Sequence, residues 1–429
     1  MRHDVIQCSK VPMPIMGSHA VRAGDLIFMG GQIPTDYKGG LAPEVKKKSQ
    51  GITNPTVLAK IQSDCILKNT QAILKTAGSS LDHGVRIDQL ITEREAASPY
   101  LDTRKNYVSP AIRPASTNVA VEEFLVPGSL VGLECIAVAE KGKISKEIVD
   151  MGSIPKSPGG FFAGGPQGVM AGDFVFLTGQ IASDFKTGVA AEARRNPGFW
   201  YGSPIKLQTD YVLKRLQMVL EEAGSSLENV VKADVWLLNM EDYYEFEEVW
   251  REFFPKEPPA RSIIPVSGIS DVDCCVEINM IAVKDDGDSR KETITAKGVP
   301  ITEGHQPHAV RAGNFLFLSG LLASDGKMEI SSEAMVHPEM PWFGSSGEQE
   351  TEHILQNMEA ICRAGNSSLK DVVWTQNFYT DLSLFNASLE VWQAAFPKKP
   401  PAALACGVRS PHWIRGCSIQ MDAVAIVSK

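Results

Sequence analysis

Apolar and polar positions change period several times along the chain. "DFVFLTG", residues 173–179, alternates and is rich in Phe and Val, which predicts a strand. "PIKLQTDYVLKRLQMVLEEAG", from Pro204, places Leu213, Leu216 and Leu220 on one helical stripe. Pro204 suits a first helical turn, and Gly224 stands where a helix ends. "VVKADVWLL" reads as a strand, "YYEFEEVWREFF" as a second helix, and "RSIIPVSG" and "CCVEINMIAV" as further strands. The order is β-β-α-β-α-β-β, with helices expected over one face of a mixed sheet, an α+β class.

The pattern occurs three times. "VRAGDLIFMGG" from Val21, "VMAGDFVFLTG" from Val169 and "VRAGNFLFLSG" from Val310 share V-x-A-G-x-x-x-F-x-x-G. "AGSSL" at Ala77 and Ala223 and "AGNSSL" at Ala364 follow at similar distances. "IAV" at Ile136, "IAV" at Ile281 and "VAI" at Val424 close the units. A solenoid repeats every 20–50 residues or so; these units are about 140–150 residues long, the size of domains. The predicted domains are 1–146, 147–290 and 291–429, joined by charged, poorly periodic stretches near 139–150 and 284–295.

Composition narrows the classes. Of 429 residues, 43% are hydrophobic and 22% charged, as in soluble globular proteins, and the net charge is −9. No basic run offers a nucleic-acid footprint, so no nucleic-acid partner is expected. No apolar run is long enough for a membrane span, and the start lacks the apolar core of a signal peptide. The eight cysteines form no CxxC pair, so neither a disulfide framework nor a zinc site is read, and a reducing cytoplasm is expected. Cys274 and Cys275 read as inert thiols on a strand. The sequon at Asn386 reads as chance.

"AVRAGNFLFLSG", "VVKADVWLLNM" and "PPARSIIPVSG…CCVEINMIAV" together resemble the Rid, or YjgF-like, family of reactive-intermediate deaminases. The resemblance spans nearly all of each unit. It implies a Rid and chorismate-mutase-like fold, here an intramolecular pseudo-trimer around a central β-barrel, with a ligand cleft between neighbouring units. It further implies a cofactor-free hydrolysis of imines or enamines that carry a carboxylate. In that chemistry an arginine grips the carboxylate through its planar fork, and a glutamate handles water and protons.

Carried over by position, the resemblance assigns Arg261 of "PPARS" as the anion grip, Glu277 of "CCVEINMIAV" as the proton carrier, and Thr178 at the hydroxyl position of "LTGQ". Gly179 and Gln180 follow in the pocket segment. In the first unit Ser116, Gly132 and Gly30 stand at the arginine, glutamate and hydroxyl positions; in the third, Ala403, Gln420 and Ser319 do. Arg261 and Glu277 are therefore expected to share one working cleft, with Arg113 and Ser319 as further substrate contacts. The family tyrosine is replaced by Gly17, Gly165 and Gln306, and its helix asparagine by Glu247 and Leu389.

Other readings of these residues stay open. Arg261 fits a structural ion pair, and Glu277 fits an edge-strand charge. Arg409, His412 and Arg415, in "GVRSPHWIRG", are expected in a solvated loop. Tyr243, Tyr244 and Trp250 are expected in helix core. No histidine set has metal-ligand spacing, so no metal is expected. The functions in competition are an imine or enamine deaminase, a diverged enzyme such as a ring-opening amidohydrolase or one of specialised metabolism, and a non-catalytic small-molecule-binding module. The chain is expected to act as a monomeric pseudo-trimer or a low-order homo-oligomer.

Overall fold

A computed structural model describes residues 1–154, 165–199 and 201–427. The first unit runs β1 (His3–Ile6), β2 (Ala20–Ala23), β3 (Leu26–Gln32), α1 (Pro43–Ser49), α2 (Pro55–Thr76), β4 (Gly84–Ile91), α3 (Ala97–Arg104), β5 (Ala115–Ala120), β6 (Glu123–Phe124) and β7 (Val131–Val138). The second runs β8 (Lys146–Val149), β9 (Gly168–Ala171), β10 (Phe174–Leu177), β11 (Gln180–Ile181), α4 (Pro204–Glu222), β12 (Val230–Leu237), α5 (Tyr243–Phe253), β13 (Ala260–Pro265), β14 (Gly268–Ile269) and β15 (Val276–Val283). The third runs β16 (Lys291–Ile294), β17 (Ala309–Ala312), β18 (Phe315–Leu318), β19 (Leu321–Leu322), α6 (Ser346–Ala364), β20 (Val372–Tyr379), α7 (Phe385–Ala395), β21 (Ala402–Gly407) and β22 (Ile419–Ile426).

The α+β class and the three tandem units hold. Within each unit the two strands that flank the second helix pair in parallel, as β12 does with β13, while β15 and its counterparts pair antiparallel. The stretches expected as linkers supply β8 and β16, which pair antiparallel with β9 and β17 and open the next sheet. Helix α4 begins as its sequence dictates: Ser203 caps it by accepting from the Lys206 N–H, Pro204 follows, and Val212, Leu213, Leu216, Val219 and Leu220 are buried.

Backbone pairing forms three separate sheets, with no single closed barrel among the described residues. The sheets nevertheless borrow strands. β14 of the second unit pairs with β5 of the first, and β6 of the first pairs with β21 of the third. Phe28, Phe174, Phe176, Phe315, Phe317 and Trp374 join one apolar cluster drawn from all three units. Phe174 lies edge-on to Phe315 at 5.7 Å, and Phe28 lies 5.8 Å from Phe315.

Buried polar pairs also tie each unit to both others. Arg86 reaches Asp234 at 2.6 Å and Asp88 at 2.7 Å; Lys232 reaches Asp422 at 2.6 Å; the Gln376 amide donates to Glu134. Arg86 and Lys232 occupy equivalent places in β4 and β12, as do Glu134 and Asp422 in β7 and β22. Burying such charges is costly unless each meets its partner, so these pairs favour one arrangement of the units.

Candidate functional site between neighbouring units

The second residue of β5, β13 and β21 is Ser116, Arg261 and Ala403. Each meets the glycine loop of another unit. The Gly179 N–H donates to the Ser116 carbonyl at 3.1 Å, and the Gly320 N–H to the Arg261 carbonyl at 3.0 Å. A Cβ built on Gly30 would lie 3.0 Å from both the nitrogen and the oxygen of Ala403. Three junctions result: first with second unit, second with third, and third with first.

Arg261 lies at the second junction and is fully buried. Its Nη1 is 2.7 Å from Glu247 Oε2, its Nε donates to Gln306 at 3.1 Å, and its backbone N–H donates to Ser319 Oγ at 3.1 Å. The guanidinium lies over the Trp250 ring at 4.8 Å. Gly304 closes over it: a Cβ there would sit 3.3 Å from Arg261 Nη2, 3.0 Å from Tyr243 Oη and 3.3 Å from Trp413. The Trp250 indole N–H holds this strap by donating to the His305 carbonyl at 3.1 Å. The glutamate position facing this junction is Gln420, which accepts from the Trp413 indole at 3.3 Å. Arg261 is thus ion-paired with Glu247 and covered by Gly304.

Glu277 lies at the first junction. Its Oε1 accepts from the Asn118 N–H of β5 at 3.4 Å, and its Oε2 has no hydrogen-bond partner among the described residues. Burial pushes its carboxyl up to about 8; the Asn118 N–H opposes this and Asp88 adds to it. Thr178 Oγ accepts from the Ser116 N–H at 3.3 Å and donates to the Pro166 carbonyl at 2.6 Å. Gln180 pairs with Ile278 and Ile181 with Glu277 where β11 meets β15, and the Gln180 amide donates to the Thr178 carbonyl at 3.2 Å. Arg113, at the foot of β5, is half-buried.

The expectation that Arg261 and Glu277 face one cleft is therefore corrected. In the sheet, β12 lies between β13 and β15. Arg261 sits beside Ala233 and Glu277 beside Trp236, positions of opposite parity on β12. Their side chains leave opposite faces of the sheet, on strands roughly 10 Å apart, and each meets a different neighbour. Ser319 likewise belongs with Arg261, while Thr178, Gly179 and Gln180 belong with Glu277.

Gly179 is required by the Glu277 carboxyl. A Cβ at residue 179 would stand 2.1 Å from Glu277 Oε1, which no contact tolerates. Gly179→Ala is expected to displace that carboxyl and to cost about 1–3 kcal/mol of stability, the usual range for overpacking a buried site. A urea titration of the variant beside the wild type checks this.

The third junction is lined by uncharged side chains. Ala403 faces Gly30, Leu404 faces Gly31, and Phe124 occupies the space beside Gly132, where a Cβ would lie 2.6 Å from the ring. The remaining space is lined by Met16, Ile33, Leu125 and Leu404.

His412 is a second correction: it is buried, and burial lowers its pKa to about 4. Trp413 beside it packs against Tyr243, stacked at 5.3 Å, which draws this stretch inward. Arg409 and Arg415 are exposed, as a loop predicts. Tyr243 and Trp250 are buried, and Tyr244 is exposed. Burial raises the thiols of Cys274 and Cys275 to about 12, so neither is a ready nucleophile. Among the described residues, no cluster of His, Cys, Asp or Glu is placed to hold a metal ion, and no helix is long and apolar enough to cross a membrane.

Sequence reasoning missed Arg104, the last residue of α3. It is buried and donates from Nη1 to Ser116 Oγ at 3.2 Å and to Gln89 at 3.4 Å. Extending the repeat alignment through the second helix would have shown it, because Arg104, Trp250 and Trp392 follow β4, β12 and β20 at equal spacing.

The family model described as Endoribonuclease L-PSP matches three times, over residues 17–139, 165–284 and 299–427. A RutC family protein of Pyrococcus horikoshii is 36% identical over 140 residues, 33% of this chain and 99% of that protein. The chloroplastic Reactive Intermediate Deaminase A of Arabidopsis thaliana is 27% identical over 139 residues, 32% of this chain and 66% of that protein. The crystal structure of yeast Mmf1 matches with a TM-score of 0.28 at 26% identity, covering 33% of this chain and 100% of Mmf1. Each relative is similar to a single unit, and the three family matches follow one another along the chain; the protein belongs to the Endoribonuclease L-PSP family of Rid and RutC proteins, in three tandem copies.

Proposed function

We propose that this chain folds into a pseudo-trimeric ring with one reactive cleft, at the first junction, and hydrolyses a small imine or enamine that carries a carboxylate. The observation that carries this reading is the buried Glu277 carboxyl, held between Asn118 and Gly179 with one oxygen unengaged by described residues. A carboxyl raised to about 8 holds its proton at neutral pH and is poised to give it up.

The proton accounting closes on one residue. Glu277 first gives its proton to the enamine carbon or imine nitrogen, leaving a cationic C=N carbon and a carboxylate. The carboxylate then takes a proton from water as the hydroxyl adds to that carbon. The same proton passes to the amine nitrogen, ammonia leaves, and the hydroxyl proton returns to Glu277 as the carbonyl forms. Thr178 and the backbone of β5 shape the wall against which the substrate lies.

Because the protonated form starts the reaction, kcat/KM is expected to fall as pH rises through about 8. A pH–rate profile tests this; activity that instead rises through the same range would refute the acid role.

Gly165 gives a second reading some support. A Cβ on this residue, which stands at the family tyrosine position, meets no described atom within 4 Å. A glycine in place of the family tyrosine favours a larger or cyclic substrate, as in a ring-opening amidohydrolase, and a panel of cyclic amides beside simple imines separates the two. An RNA substrate has the weaker case: the chain carries a net charge of −9, and RNA binding draws on clustered Lys and Arg.

A further inference from the structure

The third residue past β4, β12 and β20 opens a short helical turn in each unit, and it is Arg94, Met240 and Leu382 respectively. Two units keep an apolar side chain at this place, and the first puts a guanidinium there. At the third junction Leu382 closes on the sheet edge: a Cβ on Gly407, the last residue of β21, would lie 3.3 Å from it. At the first junction Arg94 lies over Gly268 of β14. A Cβ on Gly268 would come within 2.9 Å of Arg94 Nε and 3.5 Å of its Nη2, so a bare backbone is what leaves the guanidinium room.

That guanidinium has no acceptor. Arg94 is half-buried, yet among the described residues it makes no hydrogen bond, ion pair or ring contact. It lines an open hollow of about 260 Å³ together with Ala97, Asn118, Ala120, Ile269 and Ser270. The Asn118 side-chain oxygen is buried without a hydrogen-bond partner among the described residues. Drawing a guanidinium partly out of water costs free energy unless an anion meets it, so this hollow is built to receive one. A single planar fork matches a carboxylate.

The hollow extends the reactive cleft along β5. The Asn118 N–H donates to Glu277 Oε1 at 3.4 Å, and the Asn118 carbonyl accepts from Ser270 Oγ at 3.0 Å. Gly268, beneath Arg94, pairs with Ala120, two residues further on. Two residues of strand span roughly 6–7 Å. At that separation from Glu277 the guanidinium matches a carboxylate a few carbons along the substrate, rather than one adjoining the C=N carbon.

We infer that the first junction takes substrates with a distal carboxylate, the imines or enamines of acidic oxo acids, and that Arg94 selects them. This rests on the reading of that junction as the reactive cleft. Arg94 comes from the first unit and Glu277 from the second, so selection and proton transfer are divided between two repeats.

Calorimetric titration with 2-oxoglutarate and 2-oxopentanoate tests the assignment. The two share a five-carbon chain and a 2-oxo acid head, and the first alone carries a distal carboxylate. The wild-type chain is expected to bind 2-oxoglutarate about 10–100-fold more tightly, the range for charge-assisted hydrogen bonds. Arg94→Met, which installs the residue of the second unit, is expected to erase that difference. Arg94→Lys keeps the charge without the fork and is expected to retain part of it. A wild type that does not prefer 2-oxoglutarate, or an Arg94→Met chain that melts normally and still prefers it, overturns the inference. Its failure is separable from failure of the cleft reading, which shows as undiminished turnover by Glu277→Gln whatever Arg94→Met does.

Discussion

Glu277→Gln is expected to lower turnover of an imino or enamino acid by about 10²–10⁴-fold, the range for losing a positioned proton carrier. Glutamine keeps the shape and still accepts from the Asn118 N–H, so the junction should persist while the transferable proton disappears. The variant carries a second signature. Between the ordinary glutamate range near ~4.3 and about 8, the folded wild type keeps a proton that the unfolded chain releases. Wild-type stability therefore falls as pH rises through that window. The glutamine variant lacks this term and should gain stability relative to wild type toward pH 8, read as a widening gap in denaturant midpoint. A flat gap would show that Glu277 is not held protonated.

Glu247→Leu alone is expected to destabilise the chain by about 3–5 kcal/mol, the usual result of stripping the partner from a buried ion pair. Arg261 is fully buried, and Glu247 lies 2.7 Å from it. Adding Arg261→Met removes the stranded charge and should return most of the lost stability. Leu389 and Ala403 already form the uncharged version of this pair in the third unit, and Leu101 stands at the helix position of the first. Urea titrations of the two variants measure the difference. Equal losses in the single and double variants would mean that the pair is not coupled.

The elements were legible because their signals are local. Strand alternation in "DFVFLTG", the Leu213–Leu216–Leu220 stripe and the Ser203–Pro204 helix start all depend on near neighbours in sequence. The tandem units were legible for the same reason, as one set of markers recurring in one order. The partition of the site was not. Arg261 and Glu277 belong to one motif, yet their faces depend on the register of β12 against two different strands. The closure of the second junction was hidden too, because it needs Gly304 and Trp413 to arrive from the third unit. Arg104 was not legible because it stands where the other units carry Trp250 and Trp392, so no shared residue marks the position. His412 lies in a loop as expected, but its burial was not legible because its neighbour Trp413 finds a stacking partner only in the folded chain.

The central claim is that chemistry resides at the junction of the first and second units, where Glu277 meets β5, and not at Arg261. A crystal structure of the chain soaked with pyruvate tests it most directly. Electron density for the ligand is expected against Thr178 and Glu277, with Arg261 still paired to Glu247. Density against Arg261, with that pair broken and the first junction empty, would contradict it.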